Sequence, residues 1–356
     1  MINRVSQKIM SPKKIKVCHF EASVGQGRGE YFVDLANAQA RWGSDFKEVI
    51  LVSPVHANYL LRVDSNVRHV PYRSKGSRNN LLLLWELYNI FKKEKPDIVH
   101  THFNKATKIY SRLSLLLSSS WVATKHNSRP ASIYKKTPHV IAVSEAVSNS
   151  LVHQGVTVIH NGIDSSKNHA PPIHHPSFII NMLAIGRLEK VKGFDRLIET
   201  LKHINVGLEW QLSIVGEGSE RAALEQQIKV SGLEDKIKLL GFREDVTQLM
   251  RNNDLVIVSS HSEGFCLVLL EALLHSPLVV STPVGIAKEA LPKSLILPEE
   301  NFGSRLAEVL NTYDSLHEQL NLIRKATIER FSIENAVMKH LELYLTILTD
   351  KEIMLK

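Results

Sequence analysis

The chain has 356 residues and a formal net charge of +8, with 44% hydrophobic and 22% charged residues. This length accommodates two domains of ordinary size, and the composition excludes a disordered or fibrous protein. No apolar run approaches the ~20 residues of a membrane-spanning helix, and two cysteines exclude a disulfide framework. Because the basic N-terminal stretch lacks the apolar core of a signal peptide, we expect a cytoplasmic protein.

Short β-branched strands alternate with helices through the first half, a pattern typical of parallel sheet units. The predicted strands are 15–20, 48–53, 97–102, 121–126, 139–144 and 156–162. The predicted helices are 30–41, 80–94, 104–118 and 144–153. A polar, Pro-rich segment at 165–176 then predicts a linker.

The second half repeats the alternation. Its predicted strands are 178–186, 211–216, 237–241, 255–260, 277–282 and 294–298. Its predicted helices are 192–204, 219–231, 246–252, 266–275, 302–330 and, after a break at Phe331 and Ser332, 333–349. The sequence therefore predicts an α/β protein of two doubly wound, Rossmann-like domains that face a central cleft. We expect the domains at 1–170 and 171–332, with 333–356 packing back toward the first domain.

Charge is divided unevenly between these halves. Residues 1–170 carry a net charge of +13 and residues 171–356 a net charge of −5. A basic first half indicates an anionic partner, which is a membrane surface, a phosphorylated glycolipid or a nucleic acid, although a solvated basic surface has the same composition. Because no nucleic-acid-binding motif is present, we do not expect a nucleic acid partner.

The segment HSEGFCLVLLEALLHS (261–276) carries Glu263 and Glu271 around a loop that turns into a helix. Gly264 lets the backbone turn and approach a ligand, and a helix N-terminus offers N–H groups to a phosphate. Eight helical residues span about 12 Å, which would place one carboxylate on each side of a bound diphosphate. Taken alone, the segment equally fits a buried helix with two solvated glutamates.

The segment GRLEKVKGF (186–194) follows a predicted strand and places Arg187 and Lys192 just beyond its carboxyl end. Two cations at this point suit a diphosphate, although the spacing is not that of a Walker A loop. Solvated side chains are the better interpretation of this segment alone. The acidic segment 261–276 in the same domain favours a diphosphate site.

The glycines and histidines of the first half are less specific indicators of function. The loop GQGRGE (25–30) lacks the spacing of a dinucleotide fingerprint, so we do not expect an NAD enzyme. His126 ends a strand at the mouth of the predicted cleft and is either functional or structural. His100 and His102 alternate on a strand, and no metal-ligand spacing stands out, so we expect no metal site. The helix at 104–121 carries basic and apolar residues, and two interpretations fit it equally. It either rests on an anionic bilayer or is an ordinary core helix.

Together these segments resemble the retaining glycosyltransferases of family 4, which have the GT-B fold, over about residues 15–345. The most specific parts are EGFCLVLLEA (263–272) and GRLEKVKGF (186–194). The resemblance implies transfer of a hexose-type sugar from a nucleotide-diphosphate donor, which we expect to be UDP-linked. The basic first half and the helix at 104–121 fit a lipid-linked, anionic glycan acceptor, such as lipopolysaccharide core, and peripheral contact with the inner face of the membrane. The resemblance makes surface polysaccharide synthesis the expected role. A sugar-nucleotide epimerase or a phosphorylase of the same fold is the alternative.

The resemblance also implies roles for individual residues. Glu263 would contact the donor sugar, Glu271 the ribose, and Arg187 with Lys192 the diphosphate. His126 matches the family histidine near the reacting sugar carbon. Further donor contacts would come from the backbone N–H groups of Gly264, Phe265, Cys266 and Leu267. The acceptor loop would contain Gly27, Gly29 and Glu30, although Arg28 separates two glycines that the family places together. We expect no cofactor and no metal, because the two cations would neutralise the diphosphate.

Overall fold

The structure is a computed structural model that describes residues 14–24, 31–43, 45–76, 78–153, 155–164 and 179–354. The predicted linker and the loop with Gly27, Gly29 and Glu30 lie outside these residues. The described residues form two parallel sheets with helices on both faces, so the prediction of two doubly wound domains is confirmed.

The first sheet has seven parallel strands in the order β3-β2-β1-β4-β5-β6-β7. The strands are β1 (Ile15–Phe20), β2 (Phe46–Pro54), β3 (Arg68–Tyr72), β4 (Ile98–His102), β5 (Ser120–Lys125), β6 (His139–Ala142) and β7 (Val156–Val158). The helices are α1 (Tyr31–Trp42), α2 (Leu81–Glu94), α3 (Phe103–Leu113) and α4 (Glu145–Ser148). The order reverses between β1 and β4, and such a reversal opens a crevice at the carboxyl ends of the strands.

Alternation along β1 divides the first core between the two faces of this sheet. Ile15 and Val17 pack in the cluster that contains α1, whereas Cys18 and Phe20 pack in the cluster that contains α2 and α3. Successive side chains of a strand point to opposite faces, so a continuous apolar strand must be covered on both. The apolar side of α3 is buried in this way, which agrees with the interpretation of α3 as a core helix.

The second sheet has five parallel strands in the order β10-β9-β8-β11-β12. The strands are β8 (Ile179–Ile185), β9 (Glu209–Val215), β10 (Ile237–Gly241), β11 (Leu255–Val258) and β12 (Leu278–Ser281). The helices are α5 (Phe194–His203), α6 (Arg221–Val230), α7 (Val246–Asn252), α8 (Leu267–His275), α9 (Ala287–Ala290), α10 (Phe302–Asn311) and α11 (Tyr313–Arg330). The order reverses between β8 and β11, where a second crevice opens.

The last helix, α12 (Ile333–Met354), returns to the first domain. Val337 and Tyr344 lie in the same core cluster as Ile15 and Val17 of β1. The chain crosses at Gly162, where an added Cβ atom would lie 2.4 Å from the Cα atom of Ile333. Only glycine fits so close a backbone crossing.

Several local predictions are wrong or incomplete. The helix predicted at 144–153 is only α4 (Glu145–Ser148). Residues 294–298 form a 3₁₀ turn and a single bridge from Ile296 to Ser281 rather than a strand, because Pro292 and Pro298 leave too short a run for a ladder. Strand β3 was not predicted, since Pro71 interrupts its pattern; the strand lies at the sheet edge, where a missing N–H is tolerated. The helix predicted at 302–330 breaks at Thr312. Among the described helices, none is both long enough and apolar enough to cross a membrane.

Candidate active site between the two domains

The two crevices meet where the loop after β11 contacts the residue after β5. An added Cβ atom on Gly264 would lie 1.9 Å from the main-chain oxygen of His126. The hydroxyl of Ser144 donates to the main-chain oxygen of Gly264 over 2.6 Å. The strand ends of the two sheets therefore face each other across a cleft, and Gly264 lies at a point where the two walls touch.

An ion pair joins the two loops that the sequence singled out. Lys192 Nζ lies 2.6 Å from Glu263 Oε1, and the two side chains are 18% and 16% exposed. The hydroxyl of Ser260 donates to the same carboxylate oxygen over 2.8 Å. The hydroxyl of Ser259 donates to the main-chain oxygen of Lys192 over 2.9 Å. These contacts fix the basic and acidic loops against each other at the carboxyl ends of β8 and β11.

The backbone of the loop after β8 sets the position of Lys192 in this ion pair. Lys192 ends a 3₁₀ turn that Gly193 closes with φ +64°, and a Cβ atom on Gly193 would lie 2.3 Å from the main-chain oxygen of Ser259. The side chain of Lys192 then passes over Gly186, where an added Cβ atom would lie 3.3 Å from its methylene carbons. Two glycines thus let Lys192 lie flat along the end of β8.

The start of α8 lies beside the ion pair. Cys266 precedes the helix with φ +77° and is buried. Burial raises the pKa of its thiol to about 12, and the charge of Glu263 adds to this, so the thiol is not a nucleophile at neutral pH. The charges of Lys192 and Glu271 also act on this thiol, and Glu263 of the ion pair precedes Cys266 by three residues. A helix N-terminus beside an ammonium group is an anion-binding arrangement.

The structure gives the remaining predicted site residues different surroundings from those of the Lys192–Glu263 ion pair. Arg187 pairs with Glu189 of its own loop, and its side chain is 61% exposed. The ring of Phe265 is buried, 6.2 Å from the ring of Phe331, and so contributes packing. Leu267 and Glu271 are half-buried on α8. The predicted roles of all these residues stay predictions.

His126 is half-buried at the end of β5, on the other side of the cleft. Its ring stacks on Phe103 with centroids 4.3 Å apart, and its Nε2 lies 3.3 Å from Nδ1 of His102. Burial lowers the pKa of His126 to about 3, so the ring is neutral at pH 7. A neutral imidazole here can exchange hydrogen bonds with a ligand without adding charge.

Sequence reasoning missed two groups behind this cleft. His19, His100 and His102 are fully buried, with one ring nitrogen of each within 4.8 Å of the others. Alternation on β4 placed His100 and His102 on one face, but the approach of His19 depends on the pairing of β1 with β4. Glu21 follows β1 and is also buried, and burial raises the pKa of its carboxyl to about 7. Its position directly after a strand was the available signal.

Family profiles match both domains. Residues 26–167 match the profile described as Glycosyltransferase Family 4, and residues 176–318 match the profile described as Glycosyl transferases group 1. With two doubly wound domains and a cleft between their strand ends, the chain has the GT-B architecture of nucleotide-sugar-dependent glycosyltransferases. It belongs to the family 4 type of these glycosyltransferases.

Individual proteins agree with this assignment. One subunit of the human phosphatidylinositol N-acetylglucosaminyltransferase is 28% identical over 233 residues, which cover 58% of this chain and 48% of that protein. The chain matches less than half the length of the first curated relatives. HepE from Anabaena, solved in complex with UDP, superimposes with a TM-score of 0.77 at 19% identity, over 93% of this chain and 100% of that one. The lipopolysaccharide outer core galactosyltransferase WaaB gives 0.71 at 17% identity, over 91% and 99%. These two structures share the fold.

Proposed function

We propose that the chain transfers a hexose-type sugar from a UDP-linked donor to a lipid-linked, anionic glycan, with retention of the anomeric configuration. The observation that carries this proposal is the Lys192–Glu263 pair beside the start of α8, across the cleft from His126. The UDP bound to HepE, which shares this fold, supports the nucleotide. The acceptors in the names of WaaB and of the human relative support a lipid-linked substrate.

On the donor side, Lys192 and the N-terminus of α8 would receive the diphosphate. The pair with Glu263 balances the lysine charge, so an incoming diphosphate competes with the carboxylate for the ammonium group. Once released, the Glu263 oxygens are free to accept hydrogen bonds from sugar hydroxyls. Negative charge grows on the diphosphate as it leaves, and a preset donor at such a position accelerates reactions by about 10²–10³. In this proposal, Lys192 and the N-terminus of α8 take the place of a metal ion at the diphosphate.

At the sugar, the proposed reaction exchanges one bond for another. The bond from the anomeric carbon to the diphosphate oxygen breaks, and a bond to the acceptor oxygen forms on the same face. The proton of the acceptor hydroxyl passes to the departing phosphate. In this proposal the neutral ring of His126, whose main-chain oxygen contacts Gly264, would lie beside the reacting carbon and orient a substrate hydroxyl. Closure of the cleft at Gly264 excludes water from the activated sugar.

Substitution of the ion pair tests the proposal. We expect Lys192→Ala and Glu263→Ala each to lower transfer at least tenfold, because each removes one half of the donor site. Lys190→Ala is the matched control, since Lys190 belongs to the same turn but pairs with Asp195 and its side chain is 71% exposed. Near-normal turnover in both site variants would contradict the assignment of the site.

The donor and the reaction type need separate measurements. A thermal-shift screen of UDP-, GDP- and ADP-sugars identifies the nucleotide, because a ligand that binds only the folded protein raises its melting temperature. Incubation with the selected donor and no acceptor then distinguishes a transferase from an epimerase. A new sugar nucleotide in that reaction would support the epimerase.

An exposed apolar and basic patch on the first domain supports membrane contact. Leu81, Leu82 and Trp85 at the start of α2 are 80%, 70% and 67% exposed, and Leu115 and Leu116 after α3 are 86% and 70% exposed. Arg112 connects the two groups, because its guanidinium donates to the main-chain oxygen of Arg78 over 2.8 Å. Apolar side chains beside cations bind the interface of an anionic bilayer.

Sedimentation with vesicles of anionic phospholipid at physiological salt tests this patch. We expect the wild-type chain to sediment and the double variant Leu115→Asp, Leu116→Asp to stay in solution. Leu322→Asp is the matched control, because Leu322 is 85% exposed but belongs to α11 of the second domain. Equal sedimentation of all three proteins would contradict contact through this patch.

A further inference from the structure

A line of hydrogen-bonded side chains runs from the interior of the first domain to His126. Gln39 Oε1 lies 2.7 Å from Nε2 of His19, on β1. Nδ1 of His19 lies 2.9 Å from Nε2 of His102, at the end of β4. Nδ1 of His102 lies 3.3 Å from Nε2 of His126. The line thus connects α1, β1 and β4 to the cleft.

The orientation of the Gln39 amide, with Oε1 toward His19, sets the direction of every hydrogen bond in this line. Gln39 Oε1 can only accept, so His19 carries its proton on Nε2 and presents a bare Nδ1. His102 must then donate from Nε2, which leaves its own Nδ1 bare. His126 donates from Nε2 in turn, and Nδ1 is the nitrogen left for a ligand.

Burial keeps the line in this state. Gln39, His19 and His102 are 0%, 0% and 1% exposed, whereas His126 is half-buried and reaches the cleft. Burial lowers the pKa of His19 to about 4 and that of His126 to about 3, and it also lowers the pKa of His102, so each ring carries one proton at neutral pH. A neutral imidazole has one donor and one acceptor nitrogen, and the bond made by one nitrogen fixes the role of the other.

The neighbouring rings of His100 and His340 make hydrogen bonds to other groups and do not extend this line. His100 lies beside His102 with ring centroids 4.2 Å apart, but its nitrogens bond the hydroxyls of Tyr344 and Thr124 over 2.7 and 2.5 Å. His340 bonds the main-chain oxygen of Ala336 over 2.7 Å. The same cluster therefore contains hydrogen bonds that do not lead to His126, and these provide matched controls.

A metal ion held by His19, His100 and His102 is the competing interpretation of this cluster. Both nitrogens of His100 are already hydrogen-bonded, and the His19–His102 contact has the length of an N–H···N bond. Three neutral imidazoles can hold zinc, but the ring nitrogens of His19 and His102 are already used in the line and those of His100 in bonds to hydroxyls. The hydrogen-bonded line accounts for these nitrogens without an ion.

We propose that Gln39, His19 and His102 are positioning residues that hold His126 protonated on Nε2, so that its Nδ1 accepts a substrate hydroxyl during transfer. This role rests on the proposed function, because it assumes that His126 lies at the site of sugar transfer. The tautomer itself is a property of the protein alone and is measurable without substrate.

Nitrogen NMR of the chain labelled with ¹⁵N in its histidine rings tests the tautomer. We expect the wild-type His126 signals, assigned by their loss in His126→Gln, to show a protonated Nε2 and a bare Nδ1. Gln39→Met keeps the side-chain length and removes the acceptor, so it should shift the His126 signals toward a mixture of tautomers. Thr124→Val removes a hydrogen bond to His100 in the same cluster and should leave them unchanged. A wild-type His126 protonated on Nδ1, or one unaffected by Gln39→Met, would overturn the proposal.

Steady-state kinetics test the role in transfer. His102→Asn retains a polar atom near the position of Nδ1, whereas His102→Gln retains one near Nε2 only. We expect kcat of His102→Gln to fall about tenfold with the donor KM within twofold, and His102→Asn to keep at least three times the kcat of His102→Gln. Equal kcat values in folded His102→Asn and His102→Gln would refute the positioning role even where the tautomer is as expected.

Two further outcomes separate this proposal from its alternatives. Loss of transfer in Lys192→Ala together with an unchanged kcat in Gln39→Met would leave the proposed function intact and overturn the positioning role. Stoichiometric zinc, nickel or copper in the purified chain by mass spectrometry, lost in His102→Gln, would overturn it in favour of a metal site.

Discussion

The close approach of the two domains makes Gly264→Ala an informative substitution. Gly264 is not among the described glycines with positive φ, so alanine is compatible with its backbone. The added Cβ atom would instead lie 1.9 Å from the main-chain oxygen of His126 and 2.9 Å from the Cα atom of Asn127. Ordinary contact begins near 3.4 Å, so the loop and His126 must move apart by roughly 1.5 Å.

A displacement of this size separates Glu263 from His126 across the cleft. A misplacement of about 1 Å at a reacting centre costs on the order of 10²-fold in rate, which corresponds to about 2.7 kcal/mol of transition-state stabilisation. We therefore expect kcat/KM to fall about a hundredfold. UDP binding should change far less, because Lys192 and the start of α8 belong to one domain.

The assay measures transfer from the donor selected by thermal shift, together with UDP affinity by calorimetry and a thermal melt. Gly207→Ala is the matched control, since an added Cβ atom there meets nothing within 4 Å among the described residues. A Gly264→Ala enzyme with kcat/KM within threefold of the wild type, in a protein that melts normally, would refute the reasoning that close approach at this glycine completes the site.

Two predictions concern stability. Arg324 is 9% exposed and donates to the main-chain oxygens of Leu273, in the last turn of α8, and of Pro277, just before β12. Arg324→Leu should therefore lower the unfolding free energy in urea by roughly 2–4 kcal/mol, and a loss below 1 kcal/mol would contradict this. Burial lowers the pKa of His19, His126 and His340 to about 4, 3 and 4, so below pH 6.5 the unfolded chain binds protons that the folded one does not. Glu21, with its pKa raised to about 7, acts in the opposite direction and offsets one histidine. The unfolding free energy should fall by at least about 1.5 kcal/mol between pH 6.5 and 5.0, and equal values would contradict the buried neutral rings.

Local patterns gave most of the fold. Alternating strands and helices predicted two parallel sheets, because strand alternation and helix propensity act within a few residues of chain. The predictions failed where a proline changed the local rule, at Pro71 of β3 and between Pro292 and Pro298. Composition also indicated the basic first half, but it did not show which apolar residues of the segment 104–121 are covered. The structure buries Ile109 and Tyr110 of α3 and leaves Leu115 and Leu116 exposed.

The loops of the candidate site were recognisable because their local chemistry is unusual. Glycines and cations follow β8, and carboxylates surround the start of α8. The partners of these charges were not predictable. Lys192 meets Glu263 across 71 residues of chain, whereas Arg187 pairs within its own loop. The ion-pair partner of a long charged side chain depends on which loops the fold brings next to it.

The histidine line depends wholly on tertiary structure. His19 reaches His102 because β1 lies beside β4, and Gln39 joins them because α1 covers that face of the sheet. Tyr344 reaches His100 across 244 residues, since α12 returns to the first domain. Periodicity and turn chemistry depend on residues that are neighbours in the chain, so they can be predicted from the sequence. The meeting of distant side chains depends on strand order and on the path of the last helix.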